Sequence, residues 1–327
     1  MPIVDTPSIA PSTNNLPGRP CPHLPPIPHP PQPHPIDEEN HPQKTLHPAR
    51  NMVAFITAST CTIEAIMNFE RRSFAHDGLT FSYLDSSSQA GPAARSLVAL
   101  HGHLMEAATF APLAAALAPH WRILALDQRG HGHSSHARSY TRADYISDIE
   151  AFFHHLHLEK AVLLGSSLGG VNAFQFAARH PRQVQAFILE DIGAVVTDDI
   201  SFILPWSGVS PTREALVAKV GERFAPYLED SFRQTPDGWT LAFEPSELVG
   251  SQRNLCGDHW QDFLATACPA LLLRGTESRV TSAEHLEQMA ARRPDTTLVP
   301  LDGGHILHYD TPLGFTAAVR DFLDSLE

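Results

Sequence analysis

From about Phe69 onward, short apolar runs alternate with amphipathic stretches. Phe69-Glu70-Arg71-Arg72-Ser73-Phe74 and Leu79-Thr80-Phe81-Ser82-Tyr83-Leu84 flank an Asp77-Gly78 pair, the signature of a β-hairpin. Ser96-Leu97-Val98-Ala99-Leu100 is apolar throughout and predicts a strand buried on both faces. An alanine-rich helix is expected over residues 106–117, then a strand, Trp121-Arg122-Ile123-Leu124-Ala125-Leu126. Residues 141–156 place Tyr145, Ile149, Phe152, Phe153 and Leu156 on one side of a helix. Apolar strands are expected again at residues 160–164, 186–189, 270–275 and 297–299, with a closing helix over residues 311–326. Strand and helix in alternation, joined by short connections, imply right-handed crossovers and a largely parallel sheet, the α/β class.

The rhythm breaks between about residues 194 and 267. That stretch holds Phe202-Ile203-Leu204-Pro205-Trp206, a helical pattern over residues 213–224, the turn Pro236-Asp237-Gly238-Trp239 and an apolar segment over residues 255–264. At the other end, residues 1 to about 50 are rich in proline and histidine, as in Pro20-Cys21-Pro22-His23 and Pro33-His34-Pro35. Such a segment has few donors for a ladder and little to bury, so residues 1–66 are expected to be a disordered extension that activity does not need. The histidines there have no spacing that defines a metal site. Residues 52–67 are more apolar, but they lie too far inside the chain for a signal peptide. The expected divisions are therefore 1–66, a core in two parts at 67–193 and 268–327, and an insertion at 194–267.

Composition narrows the class. A chain of 327 residues, 43% hydrophobic and 18% charged, can bury a large core. Its net charge of −13 argues against nucleic acid or an anionic membrane as a partner. No run of eighteen apolar residues occurs, so no membrane span is expected. The four cysteines, Cys21, Cys61, Cys256 and Cys268, are scattered without a C-x-x-C, which fits reduced thiols in a cytoplasmic protein. The oligomeric state cannot be read from the sequence.

Chemistry gathers at strand ends, where sites form in parallel sheets. The expected strand at residues 160–164 runs into Gly165-Ser166-Ser167-Leu168-Gly169-Gly170. Gly-x-Ser-x-Gly between strand and helix is a nucleophile elbow, a turn tight enough to demand small flanking residues, with Ser167 at its tip. The helix that follows aims its N-terminus at the same place, where an oxyanion would be stabilised.

Four motifs together resemble the α/β-hydrolase fold superfamily: Leu100-His101-Gly102-His103, Asp127-Gln128-Arg129-Gly130-His131-Gly132-His133-Ser134, the elbow, and Asp302-Gly303-Gly304-His305. They come in the family's order and at its spacing, and cover most of the chain from Phe69 to Glu327. The resemblance implies a mostly parallel central sheet with a helical cap formed by residues 194–267. It also implies that Ser167 is the nucleophile and His305 its general base, with His308 the rival base. The oxyanion hole would be the backbone N–H groups of Leu168 and His103, and the His103 side chain could also line the pocket. His101, Asp127 and Arg129 are expected to be structural.

The acid departs from the commonest pattern. That pattern places an aspartate a few residues after the expected strand 270–275, where this chain reads Thr276-Glu277-Ser278-Arg279-Val280, with Ser278 or Arg279 at the aspartate's position. Some branches carry the acid at the end of the strand after the elbow helix. Here that strand end reads Leu189-Glu190-Asp191-Ile192, and Asp191 lies twenty-four residues after Ser167. Asp191 ranks first as the acid, Glu277 second and Glu190 third. Phe202, Trp206, Phe224 and Trp239 would line the pocket or fill the core of the cap.

The implied activity is a serine hydrolase acting on a small, largely apolar ester, thioester, lactone or amide. No metal and no organic cofactor are implied. Other chemistries on the same fold stay open: carbon–carbon bond hydrolases, perhydrolases or haloperoxidases, and cofactor-free oxygenases. A non-catalytic small-molecule receptor is the third class.

Overall fold

The computed structural model describes residues 69–326; the extension with its histidines, Cys21 and Cys61 lies outside the described residues. The first two strands, β1 (Glu70–His76) and β2 (Leu79–Asp85), pair antiparallel from Glu70↔Asp85 to His76↔Leu79. Asp77 and Gly78 turn the corner at φ +50° and +74°, the pair of positive angles that a two-residue hairpin needs. Next come β3 (Arg95–Leu100), α1 (Ala111–Leu117), β4 (Trp121–Leu126), α2 (Arg142–His155), β5 (Ala161–Ser166), α3 (Leu168–Arg179) and β6 (Val184–Glu190). After an insertion the alternation resumes with β11 (Ala270–Gly275), α7 (Ala283–Arg292), β12 (Thr296–Leu301), α8 (Leu307–Asp310) and α9 (Pro312–Asp324). The eight strands lie in the order β1-β2-β4-β3-β5-β6-β11-β12, parallel from β4 onward.

The unbroken apolar runs of the central strands follow from burial on both faces. In β3, Val98 and Leu100 join one core with Phe152 of α2 and Phe174 of α3, while Leu97 and Ala99 join the other with Leu113 of α1 and Phe315 and Val319 of α9. In β5 and β6 the alternation is the same: Leu163 and Phe187 face the first core, Leu164 and Ile188 the second. The sheet is therefore sandwiched between helices, and its strand ends are left to build loops.

The insertion contains β7 (Val195–Val196), a 3₁₀ turn (Ser201–Trp206), α4 (Arg213–Val220), a second 3₁₀ turn (Ala225–Ser231), the hairpin β8 (Phe232–Thr235) with β9 (Gly238–Leu241), α5 (Pro245–Leu255), β10 (Gly257–Asp258) and α6 (Trp260–Leu264). It has its own small core of Ile203, Trp206, Leu216, Leu228, Phe243 and Leu248.

Several elements differ from the sequence reading. The helix expected over residues 106–117 begins as a 3₁₀ turn, Ala107–Phe110, and becomes α-helical only at Ala111, with Pro112 in its first turn. The helix expected to reach Phe224 stops at Val220, and Pro226 opens the 3₁₀ turn that follows. Helix α5 was not anticipated. The closing helix begins at Pro312, after the separate turn α8.

Candidate active site

Ser167 sits between the last residue of β5 and the first of α3, at φ +48° and ψ −115°. A β-carbon-bearing residue in that region is strained, and the surroundings hold it there by close packing. A Cβ on Gly169 would lie 2.0 Å from the Leu100 carbonyl oxygen, and one on Gly165 would lie 2.2 Å from that of Gly169. The His101-Gly102 loop packs against Ser167 less tightly: a Cβ on Gly102 would be 3.3 Å from Cβ of Ser167. The two backbone N–H groups expected to form an oxyanion hole are those of Leu168, the residue after Ser167, and His103, which lines one cavity with Ser167. That of Leu168 opens α3, where a helix has no internal acceptor to offer. That of His103, in the loop after β3, makes no hydrogen bond to another described residue.

The histidine arrives from the far side of the sheet. After β12 the chain turns through Gly303 and Gly304, and His305 Nδ1 comes to 2.8 Å from Asp191 Oδ2. Asp191 is fully buried and stands one residue beyond β6, itself at φ +48°. Its placement follows from register. Strands β5 and β6 are parallel neighbours with Ser166 opposite Glu190, so the next residues, Ser167 and Asp191, leave the sheet side by side. Asp191 Oδ1 accepts the Gly275 N–H at 3.0 Å, and Oδ2 also accepts the Ser278 hydroxyl. Ser278 thus touches Asp191 from the place where the commoner pattern would put an aspartate.

The other two acid candidates go elsewhere. Glu277 is exposed and bonds to neither histidine; its backbone N–H donates to Gly303. Glu190 is fully buried and belongs to His308, accepting its backbone N–H at 2.7 Å and lying 2.8–2.9 Å from its Nδ1. Burial alone would push the Glu190 carboxyl up, but His308 and hydrogen bonds from His308 and Ser166 hold it below the usual carboxylate range. His308 Nε2 meets the Thr109 hydroxyl at 2.6 Å, so the rival base is committed on both nitrogens.

The structural readings of His101, Asp127 and Arg129 find partners that fit them. His101 bridges the Gly102 carbonyl and the Gln128 N–H. Asp127 accepts the Ala107 and His133 N–H groups and pairs with Arg71 at 2.5 Å. Arg129 forks onto both oxygens of Asp148 at 2.7 Å.

Ser167, His305, His103, Ser278 and Glu277 all border one cavity of about 810 Å³ between the strand ends and the insertion. Its apolar wall includes Ile192, Val196, Phe202, Phe224 and Leu228. Of the four aromatic residues singled out in the sequence, Phe202 and Phe224 therefore line the cavity, whereas Trp206 and Trp239 belong to the insertion's core. Asp198 also faces the cavity; burial pushes its carboxyl up, against the pull of His305. The His103 ring is pushed down to about 3 by burial, with Arg142 and His101 adding to the effect. Sequence reasoning did not find Ser251 or Tyr145 behind His103, because Ser251 lies on the unanticipated α5. Among the described residues, no group of three histidine, cysteine or acidic side chains could hold a metal ion, and no helix is long and apolar enough to cross a membrane.

With sheet order, elbow and strand ends in place, the chain has the α/β-hydrolase fold, and the family model of that description matches residues 95–241. It is 27% identical over 240 residues to a 2-(acetamidomethylene)succinate hydrolase of Mesorhizobium japonicum, covering 69% of this chain and 86% of that one. It is also 24% identical over 241 residues to a putative esterase/lipase of Haemophilus influenzae, covering 70% and 83% of the two chains. An sn-1-specific diacylglycerol lipase of Danio rerio is 27% identical over 273 residues, covering 75% and 82%. Among solved structures, that of E-2-(acetamidomethylene)succinate hydrolase superposes with a TM-score of 0.69 at 25% identity, covering 78% of this chain and 99% of the other. The enol-lactonase from Burkholderia xenovorans, at 22% identity and a TM-score of 0.65, shares the fold over 77% of this chain and all of its own.

Proposed function

We propose that this protein is a serine hydrolase that cleaves a small, largely apolar carboxylic ester, thioester, lactone or amide through an acyl-enzyme. The observation that carries the reading is the 2.8 Å contact between His305 Nδ1 and Asp191, with His305 and the positive-φ Ser167 on one cavity. A carboxylate at Nδ1 holds the ring proton there and leaves Nε2 as a lone pair, which is the form a general base needs. Nε2 takes the Ser167 proton as Oγ attacks the substrate carbonyl, and the negative oxygen is met by the N–H groups of Leu168 and His103. The imidazolium then gives its proton to the leaving group. Water, activated by the same ring, releases the acid and restores Ser167. Each oxyanion donor contributes roughly 3–4 kcal/mol in sites of this kind.

The apolar wall of Ile192, Val196, Phe202, Phe224 and Leu228 supports an apolar acyl or alcohol group. The names of the relatives, esterase, lipase and hydrolase, support the same class. The test is hydrolysis of p-nitrophenyl esters of graded chain length by the full chain and by Ser167→Ala. Turnover that disappears in the variant supports the nucleophile, and the chain-length optimum sizes the cavity. Turnover that survives in Ser167→Ala refutes the mechanism. A folded wild type inert towards esters, thioesters and amides overturns the reading in favour of carbon–carbon bond hydrolysis or ligand binding.

A further inference from the structure

Two hydroxyl groups behind the His103 ring determine where its proton resides. His103 Nε2 lies 2.9 Å from Ser251 Oγ, and Ser251 Oγ lies 2.8 Å from the Tyr145 hydroxyl. Tyr145 and Ser251 are both buried, at 1% and 0% exposure. The phenolic proton needs an acceptor, and among the described residues Ser251 Oγ is the one it has. Ser251 then has its own proton to place, and the remaining partner is His103 Nε2. That nitrogen must accept, so the neutral ring carries its proton on Nδ1. A proton on Nε2 instead would leave one of the two buried O–H groups without an acceptor and incur its full desolvation cost.

Nδ1 is left for something other than protein. It makes no hydrogen bond to a described residue, yet it is not among the buried polar atoms that lack a partner, and His103 borders the active-site cavity. The neighbouring His131 ring is tilted by 36° at a centroid distance of 5.8 Å and uses its own Nδ1 on the Arg129 carbonyl. Because Gly102 packs against Ser167 and His103 follows it on the same cavity, the ring stands within a residue's reach of the reacting carbonyl. Asp198 in the same cavity disfavours a second negative charge on the substrate.

We propose that the His103 Nδ1–H is a specificity-determining donor for a neutral oxygen on the acyl group close to the reacting carbonyl, such as an oxo or alkoxy oxygen. The substrate class is then an oxygen-bearing acyl group in preference to a plain alkyl one. This rests on the hydrolase reading above, but the position of the proton is measurable without turnover.

The first measurement is long-range ¹H–¹⁵N correlation on the histidine-labelled full chain near neutral pH, with His103 assigned by its loss in His103→Leu. An Nδ1–H tautomer is expected; an Nε2–H tautomer overturns the proposal. Tyr145→Phe removes the proton that orients the chain and should give a tautomer mixture. The second measurement compares p-nitrophenyl 3-methoxypropanoate with p-nitrophenyl pentanoate, which differ by one oxygen for one methylene. After correction for spontaneous hydrolysis, wild-type kcat/KM should favour the methoxy ester by roughly three- to tenfold, the range of one net hydrogen bond. In His103→Leu the ratio should fall to about one, the alkyl ester serving as internal reference for any damage to the loop. A ratio unchanged by the substitution overturns the substrate class. If wild type cleaves neither ester nor any other in the graded panel, the hydrolase reading has failed and the substrate class falls with it, while the tautomer still reports on the proton.

Discussion

Replacing Asp191 with asparagine tests the site at its most informative atom. The structure dictates how the new amide would sit. The Gly275 N–H, 3.0 Å from Oδ1, requires an acceptor, so the amide oxygen stays there. The NH₂ group then takes the place of Oδ2 and points at His305 Nδ1, 2.8 Å away, and at Ser278. A donor facing Nδ1 forces the ring proton to Nε2, the nitrogen that should accept from Ser167. Volume and packing barely change, yet the base is held in the wrong tautomer. The penalty for that fault in a serine triad is about 10⁴ in kcat, or roughly 5 kcal/mol of transition-state stabilisation. The assay is kcat/KM on the best p-nitrophenyl ester found for the wild type, with the denaturation midpoint recorded alongside. Glu277→Gln, at an exposed residue, should change kcat/KM by no more than about twofold. Asp191→Asn within about tenfold of wild type in a folded protein would falsify the assignment, as would a larger loss in Glu277→Gln.

Three further outcomes follow from the same packing. Gly169→Ala should fail to give soluble, folded protein, since its Cβ would press to 2.0 Å on the Leu100 carbonyl, which β3 cannot yield; normal expression and melting would contradict the close approach. Glu190→Gln replaces the fully buried carboxylate that accepts from the His308 backbone and ring and should lower stability by about 1.5–3 kcal/mol in chemical denaturation, whereas an unchanged midpoint would mean that the pair contributes nothing net. His131 is buried and its imidazole is pushed well below its ordinary value, first by burial and then by His101 and His103. Below about pH 6.5 the unfolded ring takes a proton that the folded one refuses, so this residue makes stability fall as pH falls. His131→Asn removes that contribution. The stability gap between wild type and variant should therefore shift by about 2 kcal/mol in the variant's favour between pH 6.5 and pH 5, and a gap independent of pH would contradict it.

The elbow was legible because its constraint is local and steric: only residues without side-chain bulk allow β5, α3 and the His101-Gly102 loop to meet around Ser167. Asp191 was singled out by spacing, but what brings it to His305 is register, which no local pattern displays. Glu190, ranked third as the acid, parts from Asp191 at the same point. Successive residues at a strand end point to opposite sides, so Asp191 reaches His305 while Glu190 turns to His308. Helix α5 was missed because Ser251 and Gln252 interrupt its buried face of Leu248, Val249 and Leu255, which leaves only a weak hydrophobic period to detect. That omission hid the Tyr145–Ser251–His103 chain as well. Helix starts were misplaced where Pro112 and Pro312 set the boundary, and the end of α4 where Gly221, at φ +86°, closes it.

The meeting of Ser278 with Asp191 bears on how such sites change over time. Two loops that begin on neighbouring strands, β6 and β11, deliver side chains to a single point beside His305. A lineage that acquired a carboxylate on one loop while retaining it on the other would pass through no inactive ancestor, since either could orient the same ring. Relocation of the acid then becomes a sequence of tolerated single steps rather than a leap. The double replacement of Asp191 by asparagine and Ser278 by aspartate would retrace such a path in the laboratory, with recovery of turnover relative to Asp191→Asn as the sign that both loops address the same place.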